Sequence, residues 1–88
     1  MNPEDRRLLE LIKHNAQQFG SCLDARDRGY DSYANEHEPL VETAIEQAIE
    51  SLSPTLQTTP EFVKWVGSTS RLLYWGDLCV AVDRLTSS

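Results

Sequence analysis

Pro39-Leu40-Val41-Glu42-Thr43-Ala44-Ile45-Glu46-Gln47-Ala48-Ile49-Glu50-Ser51-Leu52 is the stretch that decides the fold class. Its apolar residues, from Leu40 and Val41 through Ala44, Ile45, Ala48 and Ile49 to Leu52, recur at steps of three and four, which marks one face of an α-helix. The period-two alternation of a half-buried strand is missing. Proline is tolerated in the first turn of a helix, so Pro39 is expected to open this one, and Ser53-Pro54 to end it.

Working upstream, Gly29, Asp31, Ser32 and Asn35 are turn formers. Residues Gly29 to Glu38 therefore read as a connection, with Tyr30 and Tyr33 folded back over the core. Before it, Leu8, Leu9, Leu11, Ile12, Ala16, Phe19, Cys22 and Leu23 keep helical spacing. Asn2 suits an N-cap and Pro3 a first helical position. Glu4 and Asp5 favour the positive end of the dipole, and Gly29 is a natural terminator. A helix over Pro3–Arg28 follows. Gly20 lowers its propensity by about 1 kcal/mol relative to alanine, yet the period runs through it.

Downstream, Thr59-Pro60-Glu61 is a second helix-start signal, with Thr59 as cap. Residues 60–85 then admit two readings. Either Gly67-Ser68-Thr69-Ser70 breaks them into two helices, or one helix runs through, since Phe62, Val66, Leu73 and Val80 stay in phase. The break is favoured. Leu72, Trp75, Cys79 and Val82 would line the inner face of the last helix, with Leu78 and Leu85 beside them.

An 88-residue chain with 40% apolar and 25% charged residues fits one globular domain. The expectation is all-α: a compact bundle of three or four helices, with residues 1–88 as a single helical domain. Its core is expected to include Leu8, Ile12, Phe19, Leu23, Val41, Ile45, Ile49, Phe62, Leu72 and Cys79.

Cys22 and Cys79 are the only cysteines, too few for the framework of a small disulfide-rich domain and not spaced as a metal-binding pair. They are expected to be free thiols. The first residues lack an apolar signal core, and no apolar run reaches the length of about 20 that spans a membrane. A cytoplasmic location is expected, with no membrane contact.

Chemistry-bearing motifs are sparse. His14 and His37 have no metal-ligating companions at helical steps, and zinc needs three or four converging ligands. No nucleophile elbow and no glycine-rich phosphate loop occurs. Catalytic residues, cofactor and metal are therefore all expected to be none, and an enzyme is disfavoured.

Charge is more informative. Residues 1–28 carry five acids and five bases, and residues 64–88 two acids and three bases. Residues 29–63 carry seven acids and neither Lys nor Arg, so they hold the source of the chain's net charge of −6. Glu42, Glu46 and Glu50, preceded by Glu38, lie four apart, and each step of four drifts only about 40° around a helix. Like charges so placed cost a few tenths of a kcal/mol per pair. Either a neighbouring cation such as Arg6, Arg7, Lys13 or Lys64 relieves the stripe, or it aids solubility, or it faces a partner's basic surface, where complementary potential speeds encounter. Tyr74 and Trp75 point about 100° apart on a helix, so one of them is a second candidate contact.

Glu38, Glu42, Glu46, Glu50, Tyr74 and Trp75 are accordingly the candidate partner-binding residues. The leading expectation is a small acidic regulatory or inhibitory module that binds another protein with a basic surface, a nucleic-acid-binding protein being one such partner. Direct nucleic-acid binding is disfavoured, because phosphate backbones need clustered Lys and Arg. Two alternatives stand beside it. One is a structural helical module that self-associates, as a homodimer, through its C-terminal aromatics. The other is a small enzyme or ligand carrier.

Overall fold

The computed structural model describes residues 1–87, and these form α-helices, one 3₁₀ turn and no strand. The helices are α1 (Pro3–Asp27), α2 (Asp31–Ser51), α3 (Pro54–Gln57), α4 (Pro60–Gly67) and α5 (Trp75–Thr86), with the 3₁₀ turn Arg71–Tyr74 leading into α5. The all-α class is as expected. Four of the helices have eight residues or more, and α3 is a single turn.

α1 begins and ends as its sequence dictates. The Asn2 side-chain oxygen accepts a hydrogen bond from the Asp5 N–H at 2.7 Å, supplying one of the partners that a helix start lacks. At the other end, the Tyr30 N–H bonds the Ala25 carbonyl at 2.8 Å and the Gly29 N–H bonds the Arg26 carbonyl at 3.0 Å. This paired pattern needs a left-handed residue between helix and exit, and Gly29 supplies it with φ +86°. The chain therefore reverses within three residues.

That tight reversal corrects the expected Gly29–Glu38 connection. α2 starts at Asp31, and Pro39 lies in its interior instead of opening it. The apolar period extends back through the proline: Ala34, Val41, Ile45, Ala48 and Leu52 are all buried. An interior proline removes one backbone hydrogen bond and crowds the carbonyl four residues earlier, at a cost of about 3 kcal/mol. Arg26 offsets part of this by donating to both Asn35 Oδ1 (2.9 Å) and Glu38 Oε2 (2.7 Å), which binds the turn before Pro39 to α1.

The start of α3 is tied to the start of α1. Asp5 is buried and accepts from Ser53 N–H (3.1 Å) and Ser53 Oγ–H (2.6 Å). The Ser53 hydroxyl, opposed by partial burial, holds the Asp5 carboxyl below its ordinary pKa. Gln57 closes the other side by donating to the Glu50 and Leu52 carbonyls that end α2. Thr59 takes the N-cap position of α4 and Pro60 the first helical position, as expected, but the Thr59 hydroxyl makes no capping bond and donates to the Leu56 carbonyl at 2.7 Å.

The chain breaks after Gly67, as favoured. α5 then returns antiparallel to α1, with Asp83 against Lys13 at 2.7 Å and Trp75 against Gly20. A Cβ on Gly20 would sit 2.8 Å from Trp75 Cζ2, so this close approach requires glycine there. The inner face of the last segment departs from expectation. Leu78, Ala81 and Val82 are buried, whereas Leu72, Trp75, Cys79 and Leu85 are half-buried around them. The 3₁₀ turn has 3.0 residues per turn, not 3.6, and so shifts Leu72 out of phase with α5.

One core joins α1, α2, α4 and α5, with Phe19, Ile45, Phe62, Trp65 and Leu78 all fully buried. Leu23, expected in it, is only half-buried. No helix among the described residues is long and apolar enough to cross a membrane.

Candidate functional site

α2 does set its glutamates in a row, but three of the four candidates are held inside the molecule. Arg71 Nη1 donates to Glu42 Oε1 (2.7 Å) and to Glu46 Oε2 (2.9 Å). Arg26 holds Glu38. The cations that relieve the stripe are therefore Arg71 and Arg26, not Arg6, Arg7, Lys13 or Lys64. Relief by a cation of the same molecule was one of the alternatives the spacing left open, and it describes Glu38, Glu42 and Glu46 with cations other than those named. Only Glu50 of the four is exposed and without an ion pair among the described residues.

Arg71 is the centre of this arrangement. Its guanidinium lies 4.7 Å from the centroid of Trp65 and also donates to the Val66 carbonyl at 2.6 Å. The Trp65 indole N–H in turn donates to the Arg71 carbonyl (3.2 Å). Burial alone would lower the Arg71 pKa, but hydrogen bonds to Glu46 and Glu42 outweigh it and the net shift is upward. Beside it a cavity of about 510 Å³ is lined by Phe19, Glu38, Glu42 and residues 68–72. Every charge in that lining already has a partner.

The two aromatic candidates separate as the 100° rule requires. Trp75 turns inward onto Gly20 and the core. Tyr74 stays at the surface with Lys64 Nζ 4.7 Å from its ring centroid. Phe62 and Trp65 are fully buried, so the C-terminal aromatics present little exposed ring surface.

The most accessible aromatic rings lie at the tip of the α1–α2 hairpin. Tyr30 is 64% and Tyr33 46% exposed, contrary to the expectation that they fold over the core. Because α2 already begins at Asp31, both stand beyond the packed part of the molecule. The side-chain contacts from residues 52–87 reach α1 at points such as Asp5, Lys13, Phe19 and Gly20, and α2 at Glu42, Glu46 and Glu50. The tyrosines, with Asp24, Ala25 and Arg28, border an open cavity of about 340 Å³. Tyr33 rests against His37, one turn on, with ring centroids 4.2 Å apart. The signal available in the sequence was Ala34, one heptad before Val41, which places Tyr33 on an outer flank once the helix is extended backwards.

Ion pairing divides the charges unevenly. Seven cations, Arg7, Lys13, Arg26, Arg28, Lys64, Arg71 and Arg84, each meet a carboxylate. Among the described residues only Arg6, of the eight Lys and Arg, has no such partner. Glu10, Asp27, Asp31, Glu36 and Glu50 are exposed carboxylates without one. Glu61, by contrast, is gripped by both Arg84 Nη atoms, and this hydrogen bonding holds its pKa at about 2. Cys22 and Cys79 are unjoined, and burial pushes both thiols upward, away from the reactive thiolate. Among the described residues no three His, Cys, Asp or Glu side chains converge as a metal site would require.

The fold and surface thus define an all-helical chain whose unpaired surface charge is mostly negative. No known protein family, curated protein or solved structure matches it.

Proposed function

We propose that this chain is a small regulatory or inhibitory module, built as a helical bundle, that acts by binding the basic surface of another protein and not by catalysis. The observation that carries this is the division of charges among the described residues: pairs within the molecule engage seven of the eight cations, while five exposed carboxylates have no ion pair. Unpaired surface charge of one sign steers association and rejects partners of the same sign. A protein that itself grips nucleic acid offers such a basic surface. Two unjoined thiols suit a reducing compartment such as the cytoplasm.

The test is to immobilise the chain beside a variant in which Glu10, Glu36 and Glu50 become Gln and Asp27 and Asp31 become Asn. Both are exposed to host extract at low salt, eluted with a salt gradient, and the eluates identified. The parent should retain a protein with a basic patch and release it as salt rises. The neutral variant should fold as well as the parent and lose it. Equal retention by both forms, or elution insensitive to salt, would sink the proposal.

A further inference from the structure

We infer that the cavity at the α1–α2 hairpin tip is a docking site for an arginine side chain presented by a basic segment of the partner protein. The inference rests on the proposed acidic-module function and assigns it a site and a ligand chemistry. Three features support it.

The first is the lining. Tyr30 and Tyr33 present exposed surface around about 340 Å³, and Ala25 and the Asp24–Arg28 pair complete the lining. Such walls suit the aliphatic stem and flat guanidinium of arginine, which stacks on aromatic rings more readily than lysine. Contact with His37 restrains the Tyr33 ring before any ligand arrives.

The second is charge complementarity. Between residues 24 and 38 stand five carboxylates and two arginines. Arg26 is consumed by Asn35 and Glu38. Arg28 makes only an exposed pair with Asp24, at 3.1 Å, which solvent screening weakens. Asp27, Asp31 and Glu36 make no ion pair among the described residues, though Asp31 lies within the field of Arg26, and Asp31 follows Tyr30 directly in the chain.

The third is that the molecule already uses this chemistry on itself. Arg71 is held by one aromatic face, Trp65, and two carboxylates, Glu42 and Glu46. The tip sets exposed tyrosine rings in a stretch of chain that also holds carboxylates without an ion pair among the described residues, while Arg28, which lines the cavity, is held by Asp24.

The probe is the peptide GRGRGRG, titrated into the full-length ¹⁵N-labelled chain, with GKGKGKG as its twin. The arginine peptide should shift amides between Asp24 and His37 and bind several-fold more tightly than the lysine peptide. Changing Tyr30 and Tyr33 together to Ala, both being exposed, should leave the melting temperature nearly unchanged and weaken binding about tenfold. Arg28→Ala removes the internal competitor and should tighten binding a few-fold. Shifts around Glu10 or Glu50 with a silent tip would overturn the pocket while leaving the acidic-module function standing. No shift anywhere would overturn both. Tip shifts that follow protein concentration without peptide would make a second copy the occupant and overturn the arginine assignment, as would unaltered binding by the tyrosine variant.

Discussion

Replacing Arg71 with alanine should destabilise the chain more than any other loss of a charged side chain. The magnitude follows from its contacts. Two charge-assisted hydrogen bonds, to Glu42 and Glu46, are each worth about 1.5–3 kcal/mol when sheltered. Here the arginine side chain is 20% exposed and the carboxylates 38% and 40%, so solvent screening reduces each bond to roughly 1 kcal/mol. The exposed Val66 carbonyl loses its side-chain donor, which adds about 0.5 kcal/mol, and the lost stacking on Trp65 adds about 0.5 kcal/mol. The total is about 3 kcal/mol, a large part of the 5–15 kcal/mol that holds a typical domain together. In a chain of this size that should lower the melting temperature by about 12–24 °C.

Thermal melts followed by circular dichroism, backed by urea titration, would measure it. Arg71→Lys should fall between parent and Arg71→Ala, because an ammonium keeps the charge but cannot fork to two carboxylates and the carbonyl. A double-mutant cycle with Glu42→Gln and Glu46→Gln should give a coupling of at least about 1 kcal/mol. If Arg71→Ala stays within about 0.5 kcal/mol of the parent, the three contacts are surface ornaments and the account of the glutamate stripe fails.

Other consequences are as direct. Gly20→Ala gains helix propensity, yet its new methyl meets the Trp75 ring at 2.8 Å, so a net loss of about 1–3 kcal/mol is expected, smaller in a Trp75→Leu background. Ile45→Ala empties a fully buried site on α2 and should cost about 2–5 kcal/mol by urea titration. Thiol titration of the unfolded, unreduced chain should count two free thiols. In acid, the Glu61 carboxyl moves from its ordinary value of 4.5 to about 2 on folding, and Asp5 is lowered as well. The Glu61 contribution is therefore present above about pH 4.5 and drains away as pH drops toward 2, and that of Asp5 is likewise lost in acid. Changing Glu61 to Gln should flatten that acid limb of the stability profile.

Much of the fold was legible because it rests on local rules. Asn2 and Gly29 mark the ends of α1 by cap chemistry that needs no tertiary context. Pro60 and the Gly67–Ser70 run mark α4 and the break after it for the same reason. Pro39 was misleading because a local rule met a tertiary override. Proline in a helix interior is costly in isolation, and only the Arg26 bridge and the burial of Ala34 make it tolerable here. The inner face of α5 was likewise shifted by a 3₁₀ turn whose presence no periodicity announces. For the candidate site, the charge count was legible but its pairing was not. Arg71 lies 25 residues from Glu46 and 29 from Glu42, and only the return of the C-terminal segment onto α2 brings them together.

That pairing changes where a partner would be met. Four-residue glutamate spacing is unfavourable for an isolated helix, which invites an explanation from outside the molecule. Arg71 supplies one from inside: Glu42 and Glu46 fasten the loop after α4 onto α2, and Glu38 fastens α2 onto α1. Neutralising these three residues should therefore lower stability, whereas neutralising Glu50 alone should not. The carboxylates left over sit elsewhere, and three of the five, Asp27, Asp31 and Glu36, fall within ten residues around the hairpin turn. There the exposed tyrosines also stand, around a cavity lined by residues of α1, α2 and the turn between them. If binding to a basic partner survives Asp27→Asn with Asp31→Asn but is lost with Glu50→Gln, the interface lies on the middle of the molecule, and the hairpin tip is only its end.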